Sequence, residues 1–112
     1  MLEYFTMAIK MDQFEELLRL QKEFQDKFTF KLDLPKCIIA MLMELGEMAE
    51  ASETKWWSKK RHTHEQRLGE AVDFWHFFMI YLLEEGITAE EFFEAYKAKL
   101  AVNYQRQESK TY

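Results

Sequence analysis

The chain has 112 residues, of which 48% are hydrophobic and 31% are charged. This balance excludes a disordered chain, and the length suits a single domain of ordinary size. The formal net charge of −5 argues against a general nucleic-acid-binding surface. The one cysteine, Cys37, lies in an apolar run, so we expect a buried thiol in a protein of a reducing compartment.

No stretch of the sequence has the length and apolar character of a transmembrane helix. The most apolar run, residues 74–83, has only ten residues and contains His76. The first residues also lack a basic segment followed by an apolar one, which is the pattern of a signal peptide. We therefore expect a cytoplasmic protein that has neither a membrane nor nucleic acid as a partner.

The first half of the chain predicts two helices. After residues 1–10, which carry no clear pattern, apolar residues recur at helical spacing from Asp12 to Phe28. Pro35, the only proline, favours the first turn of a second helix, which runs to about Ala51. Gly46 weakens that helix by about 1 kcal/mol and leaves room for another backbone or a ligand to approach.

A polar interruption separates these helices from two more. Residues 52–62 hold two tryptophans beside four basic residues and show no helical stripe. The sequence Thr63–Gln66 fits a capping box that starts a third helix, and Gly86 is a suitable left-handed stop. A second capping box, Thr88–Glu91, starts a fourth helix, after which residues 108–112 are predicted to be a tail.

No segment shows strand alternation, so we predict an all-α fold of four helices. Residues 74–83 are apolar around most of the helical circumference, which is typical of a helix buried on all sides. Three other short helices can cover only part of this apolar surface, so we predict that the third helix packs across a subunit interface. A compact monomeric bundle is the alternative. His76 is predicted to be an interior histidine.

Two pairs of carboxylates form the candidate functional centre: Glu44 with Glu47, and Glu70 with Asp73. Residues three apart share one face of a helix, and both pairs adjoin apolar sequence. Carboxylates there are costly unless they are paired or bind a cation. Four of them around one small volume suit Mg²⁺, with Mn²⁺ as the alternative ion. Ordinary solvated helix faces are the competing interpretation.

These acids belong to a longer pattern. Glu44-Leu-Gly-Glu47, then Lys55-Trp56-Trp57, then the sequence E-A-V-D-F-W-H-F at residues 70–77 resemble the all-α nucleoside triphosphate pyrophosphatase superfamily. Within it the chain is most similar to the dimeric dUTPases, and less so to the MazG proteins. Gln21 and Gln25 resemble that family's N-terminal helix, and residues 99–107 its late phosphate-binding segment. The likeness covers roughly residues 14–107, within a single expected domain, 1–112, whose ordered core is about 12–107.

The resemblance implies that water attacks a nucleoside triphosphate and releases pyrophosphate, so that dUTP would give dUMP. It implies that Glu44, Glu47, Glu70 and Asp73 bind Mg²⁺, two or more ions about 3.5–4 Å apart, and that Glu44 or Glu47 accepts the proton of the water. It also implies a set of substrate-binding residues: Gln21, Gln25, Lys55, Trp57, Lys59, Lys99, Asn103 and Arg106.

The sequence departs from the family pattern at several points. Leu100 and Gln25 stand where asparagine is usual, and Ser58 stands where a lysine is expected. The third helix also passes straight into the fourth through Gly86-Ile87, so the chain is shorter than the dimeric enzymes. We therefore expect a homodimer or homotetramer in which subunits supply what a longer chain contains. Two alternatives remain, a MazG-like pyrophosphatase for dCTP or modified nucleotides and a non-catalytic helical adaptor.

Overall fold

The computed structural model describes residues 12–110, which form four α-helices and no strand. The helices are α1 (Gln13–Lys27), α2 (Leu34–Ala51), α3 (His64–Glu85) and α4 (Ala89–Ser109). The predicted all-α fold is confirmed. The predicted tail starts too early, because α4 continues through the first of its residues to Ser109. The unpatterned segment 1–10 lies outside the described residues.

Each helix begins at a side chain that accepts a backbone hydrogen bond from the first turn; these residues are Asp12, Asp33, Thr63 and Thr88. The capping box predicted at the start of α3 is complete. Thr63 Oγ1 accepts from the N–H of Gln66 at 3.1 Å, and Gln66 Oε1 accepts from the N–H of Thr63 at 2.8 Å. Local chemistry therefore fixes where the helices start.

Gly86 ends α3 and turns the chain directly into α4. Its φ of 78° is in the left-handed region, which glycine adopts without a Cβ penalty. The N–H of Gly86 donates to the carbonyl of Leu83 at 3.1 Å, and that of Ile87 to the carbonyl of Leu82 at 2.9 Å. The predicted stop is confirmed, and α4 starts immediately after Thr88.

The core lies along α3, which packs extensively on α2 and more locally on α1. Leu18, Met79 and Leu82 form its buried cluster. Cys37 of α2 is fully buried, which confirms the predicted thiol environment, and burial is the main cause that raises the pKa of this thiol. Among the described residues, no helix combines the length and hydropathy that crossing a bilayer requires.

Most of the cover of α3 comes from its own chain. Between Phe74 and Leu83 only His76 is exposed. The prediction of an interior histidine is therefore wrong, because the rotation of the helix turns this position to the side that α1 and α2 leave open. Most of the exposed large apolar side chains of the helices lie instead on α1, α2 and α4, and α3 adds Leu68 and Val72 near its start. The oligomer remains a prediction. Its candidate interface faces lie on α1, α2 and α4, whereas the sequence pattern pointed to α3.

Candidate functional site

Three of the four predicted acids meet between α2 and α3. One oxygen from each of Glu44, Glu70 and Asp73 lies within 4.8 Å of the others. Glu70 and Asp73 are one helical turn apart on α3, while Glu44 comes from α2. The two helices run antiparallel, since the start of α2 at Cys37 lies near Glu84 at the end of α3. This packing is what brings the carboxylates together.

Within residues 12–110, the three carboxylates form no salt bridge with a basic side chain. None of the ion pairs among the described residues involves Glu44, Glu70 or Asp73. Burial raises the pKa of Glu44, and the charges of Asp73, Glu70 and Glu47 raise it further. Three convergent oxygen donors that repel one another fit a hard divalent cation such as Mg²⁺, which would supply the missing positive charge.

Glu47 lies outside the group of three oxygens. It is one turn after Glu44 on α2, and its side chain is exposed. Its charge still contributes to the raised pKa of Glu44. Because residues three apart share a face of a helix, Glu47 lies on the same side of α2 as Glu44.

A cleft of about 490 Å³ opens beside the carboxylates. Its polar lining consists of Glu44 from α2, Asp73 and His76 from α3, and Gln21 from α1. The remaining walls are apolar, formed by Leu17, Leu20, Phe24, Phe30, Phe77, Met79 and Ile80. An apolar cleft of this volume with a few polar groups is typical of a small-molecule site.

His76 is the cleft residue that the sequence reasoning missed. Its apolar neighbours in the chain favour an interior position. A better signal was available in the spacing, because His76 follows Asp73 by three residues and therefore shares its helical face. The spacing that predicts a shared face for Glu70 and Asp73 therefore also predicts that the imidazole of His76 lies on that face.

Only one of the two predicted base-reading glutamines faces the cleft. Gln21 lines it, while Gln25 is 7% exposed and lines a separate groove with Phe30 and Glu84. The two amides are joined, because Gln21 Nε2 donates to Gln25 Oε1 at 3.3 Å. Gln25 is thus placed to orient the amide of Gln21 and does not itself line the cleft.

The loop between α2 and α3 folds back on the end of α2. Thr54 Oγ1 donates to the carbonyl of Ala49 at 2.8 Å, and Glu53 Oε1 accepts from the N–H of His62 at 3.0 Å. The second bond joins residues nine apart, so Glu53 ties the two ends of the loop together. Glu53 has a φ of 60°, an uncommon conformation for a residue with a Cβ.

Lys55 and Trp57 from this loop line a second cavity of about 320 Å³ at the end of α2. Trp57 meets Trp56 edge to face, with 4.6 Å between ring centroids, and the two side chains are 65% and 86% exposed. Lys59 is also exposed and lines neither this cavity nor the cleft. The basic and aromatic groups of the loop are therefore available to a ligand.

The remaining predicted substrate contacts, Lys99, Asn103 and Arg106, are all exposed and lie on one face of α4. None of them lines the cleft. Among the described helices, the backbone of α4 approaches only that of α1. The structure of a single chain thus keeps these three residues apart from the carboxylates.

A family model described as dUTPase matches residues 13–86. No curated protein and no solved structure matches the chain. The matched segment is about two thirds of the 112 residues and contains both acidic pairs, Gln21, Gln25 and the tryptophan loop. It ends at Gly86, so α4 lies beyond it. From this match over α1 to α3, the chain belongs to the dUTPase family.

Proposed function

We propose that the protein is a Mg²⁺-dependent nucleoside triphosphate pyrophosphohydrolase that converts dUTP and water into dUMP and pyrophosphate. Membership of the dUTPase family supports a hydrolase that acts on nucleoside triphosphates. The observation that carries the proposal is the group of Glu44, Glu70 and Asp73, whose oxygens converge within 4.8 Å beside an apolar cleft.

The cleft can hold the two chemically different halves of a nucleotide. Its apolar walls suit the faces of a base, and the amide of Gln21 offers a donor and an acceptor to the polar edge of that base. The carboxylates repel phosphates, so the triphosphate half binds there only together with a cation. Bound Mg²⁺, or Mn²⁺ in its place, would offset the charge of the triphosphate and activate water as the nucleophile.

Glu44 is the proposed acceptor of the proton that the attacking water loses. Its pKa is raised by burial and by three neighbouring charges, and a general base works best when its pKa lies near the working pH. Glu47, on the same face of α2, is the second candidate. Lys55 and Lys59 are proposed to bind phosphate oxygens from the loop, and Trp57 to pack on the substrate.

We further propose that the four helices form one catalytic domain that self-associates as a homodimer or homotetramer. The support is the apolar surface of the chain: Ile39, Leu42 and Met43 on α2 are 57–68% exposed. Patches of this kind on a soluble protein mark surfaces that other molecules cover.

Release of pyrophosphate from a panel of deoxynucleoside triphosphates tests the activity, with Mg²⁺ and with excess chelator. We expect Mg²⁺-dependent hydrolysis with a preference for dUTP of at least about tenfold over dCTP and dTTP, the discrimination that one base-reading contact supplies. A smaller preference contradicts dUTP and favours the MazG-like alternative. No hydrolysis of any member of the panel overturns the proposed reaction.

A further inference from the structure

A groove beside the start of α4 is lined mainly by aromatic rings. It has a volume of about 730 Å³ and lies between the first turn of α1, the middle of α3 and the first turns of α4. All three helices supply its aromatic lining, which consists of Phe14, Trp75, Phe92, Phe93 and Tyr96. Among the described residues, none lines both this groove and the carboxylate cleft. The groove is therefore a separate surface.

The floor of the groove is packed, whereas its outer wall is not. The ring of Phe14 lies 6.2 Å from that of Trp75 and 5.6 Å from that of Phe92, and all three side chains are half-buried. On the outer wall, Phe93 and Tyr96 are 51% and 59% exposed. Large exposed rings beside a packed apolar floor mark a surface that another segment covers.

The described part of the chain begins at the edge of this groove. Asp12, its first residue, caps α1 and also lines the groove. Residues 1–11 therefore join the fold at this edge. The groove follows α4 from Ala89 to Lys97, which is about 12 Å of helix. Eleven residues can reach along it, since they span about 16 Å as a helix and at most about 40 Å when extended.

Segment 1–11 has a composition that suits an apolar groove. Eight of its eleven residues are hydrophobic, including Leu2, Phe5 and Ile9, compared with 48% of the whole chain. Burial of large apolar side chains of this kind contributes roughly 1.5–3 kcal/mol for each one that leaves water completely. A segment so apolar is therefore more stable against the groove than in solvent.

Charge at the rim of the groove also favours this segment. Glu15 and Glu90 line the groove, and neither forms an ion pair within residues 12–110. Lys10 is the only basic residue of segment 1–11 and precedes Asp12 by two positions, a distance of about 7 Å at most. Its ammonium group can therefore reach the acidic rim, and opposite charges orient surfaces as they associate.

We propose that segment 1–11 docks in the groove of its own chain and fastens the start of α4 to α1 and α3. Its apolar side chains cover Phe93 and Tyr96, and Lys10 faces the acidic rim. The segment gives α4 a second attachment, because the backbone of α4 approaches only that of α1 among the described helices. The docking does not rest on the proposed function.

The reactivity of one introduced thiol tests the docking. The single cysteine of the chain, Cys37, is fully buried, so the thiol introduced by Glu94→Cys on the groove wall is the accessible one. Its alkylation by iodoacetamide is timed with the native segment and with the neutral triple variant Leu2→Ser/Phe5→Ser/Ile9→Ser. We expect the native segment to slow alkylation about tenfold, the factor that net burial of roughly one large apolar side chain supplies.

Val102→Cys is the matched control for this measurement. Val102 lies on the same helix, is 40% exposed and does not line the groove, so its alkylation rate should be the same with either segment. Cys37 should stay unreactive in every variant, which separates loss of docking from unfolding. Lys10→Glu is a second variant that keeps the apolar side chains, and its repulsion from the rim should speed alkylation at position 94 by a smaller factor.

Two outcomes overturn the docking. Equal alkylation rates at position 94 with the native segment and with the triple variant show that segment 1–11 does not cover the groove. Protection that disappears over about a hundredfold dilution shows that a second copy covers it instead, because only association between chains depends on concentration. Neither measurement requires enzymatic activity, so a failure of the proposed function leaves this test intact.

Discussion

Glu44 is the residue on which burial and charge act in the same direction. Its side chain is half-buried between α2 and α3, and three further carboxylates surround it. Both effects favour its protonated form, and its raised pKa is the result. We therefore expect the site to destabilise the metal-free fold and a bound cation to relieve this cost.

The substitution Asp73→Asn should lower catalytic activity without lowering the stability of the metal-free fold. We expect pyrophosphate release to fall by about 100-fold or more, because a proposed metal ligand is removed. Metal-free stability should equal or exceed that of the wild type, since a repulsive charge beside Glu44 disappears. Thermal unfolding in excess chelator measures the second effect. Glu85→Gln, at an exposed acid near the end of α3, is the control. An unfolded Asp73→Asn would show that the carboxylate has a structural role.

The pH dependence of metal-free stability follows from the raised pKa of Glu44. The folded chain binds the carboxyl proton of Glu44 more tightly than the unfolded chain does. The stability that protonated Glu44 contributes is therefore fully present below its ordinary pKa. That contribution is lost as the pH rises through the folded value. We expect Glu44→Gln to have a higher melting temperature than the wild type at neutral pH in chelator, with a gain that shrinks in acid. A gain in melting temperature that does not change with pH would contradict a raised pKa of Glu44.

Sequence spacing predicts which acids share a helical face but not the directions of all side chains. Glu44, Glu70 and Asp73 converge because their spacing and the antiparallel helices agree. His76 was misplaced because the apolar character of its neighbours was given more weight than its helical phase. The roles of Gln21 and Gln25 differ because one faces the cleft and the other is buried, a distinction that depends on where α1 crosses α3.

The helices themselves show why their ends could be predicted so closely from the sequence. Each start is set by a single cap residue, and α3 stops at Gly86, all of which are local signals. The position of α4 relative to the cleft has no local signal of this kind. It depends on packing between helices that are distant in sequence, which the pattern of one helix does not specify.

Gly69 within α3 and Gly86 just after it should respond in opposite ways to substitution by alanine. Gly86 has a φ of 78°, so Gly86→Ala should cost about 1–2 kcal/mol of stability. Gly69 is exposed within the helix, and an added Cβ meets nothing within 4 Å, so Gly69→Ala should stabilise by about 0.5–1 kcal/mol. Urea unfolding of the two variants measures both. Destabilisation by Gly69→Ala would indicate that this surface packs against another chain.

The whole molecule is open, with an acidic cleft on one part and a basic, apolar helix on another. Among residues 12–110, neither feature has an opposite charge or an apolar partner packed against it. A sequence pattern does not predict this, because it shows composition without distance. A chain of this size that leaves so much apolar surface exposed is expected to reach its stable form through association.

Titration with Mg²⁺ tests the metal site of the whole molecule without substrate. A ligand that binds only the folded state raises its stability, by about 2.7 kcal/mol at 100 times its dissociation constant. We expect the melting temperature to rise with Mg²⁺, to rise further with a non-hydrolysable dUTP analogue, and to respond much less in Asp73→Asn. A melting temperature that does not change with Mg²⁺, with or without the analogue, would favour the non-catalytic adaptor.

The edge-to-face contact of Trp56 and Trp57 also gives the protein an intrinsic optical label. These two indoles lie on the exposed loop, 4.6 Å apart, whereas Trp75 packs within the aromatic cluster beside Phe14 and Phe78. Emission from the loop pair is therefore open to aqueous quenchers, while emission from the half-buried Trp75 is less accessible to them. A nucleotide that binds beside the loop would lower the fraction of tryptophan emission that an aqueous quencher reduces. The rate of binding can therefore be followed in solution without an attached dye.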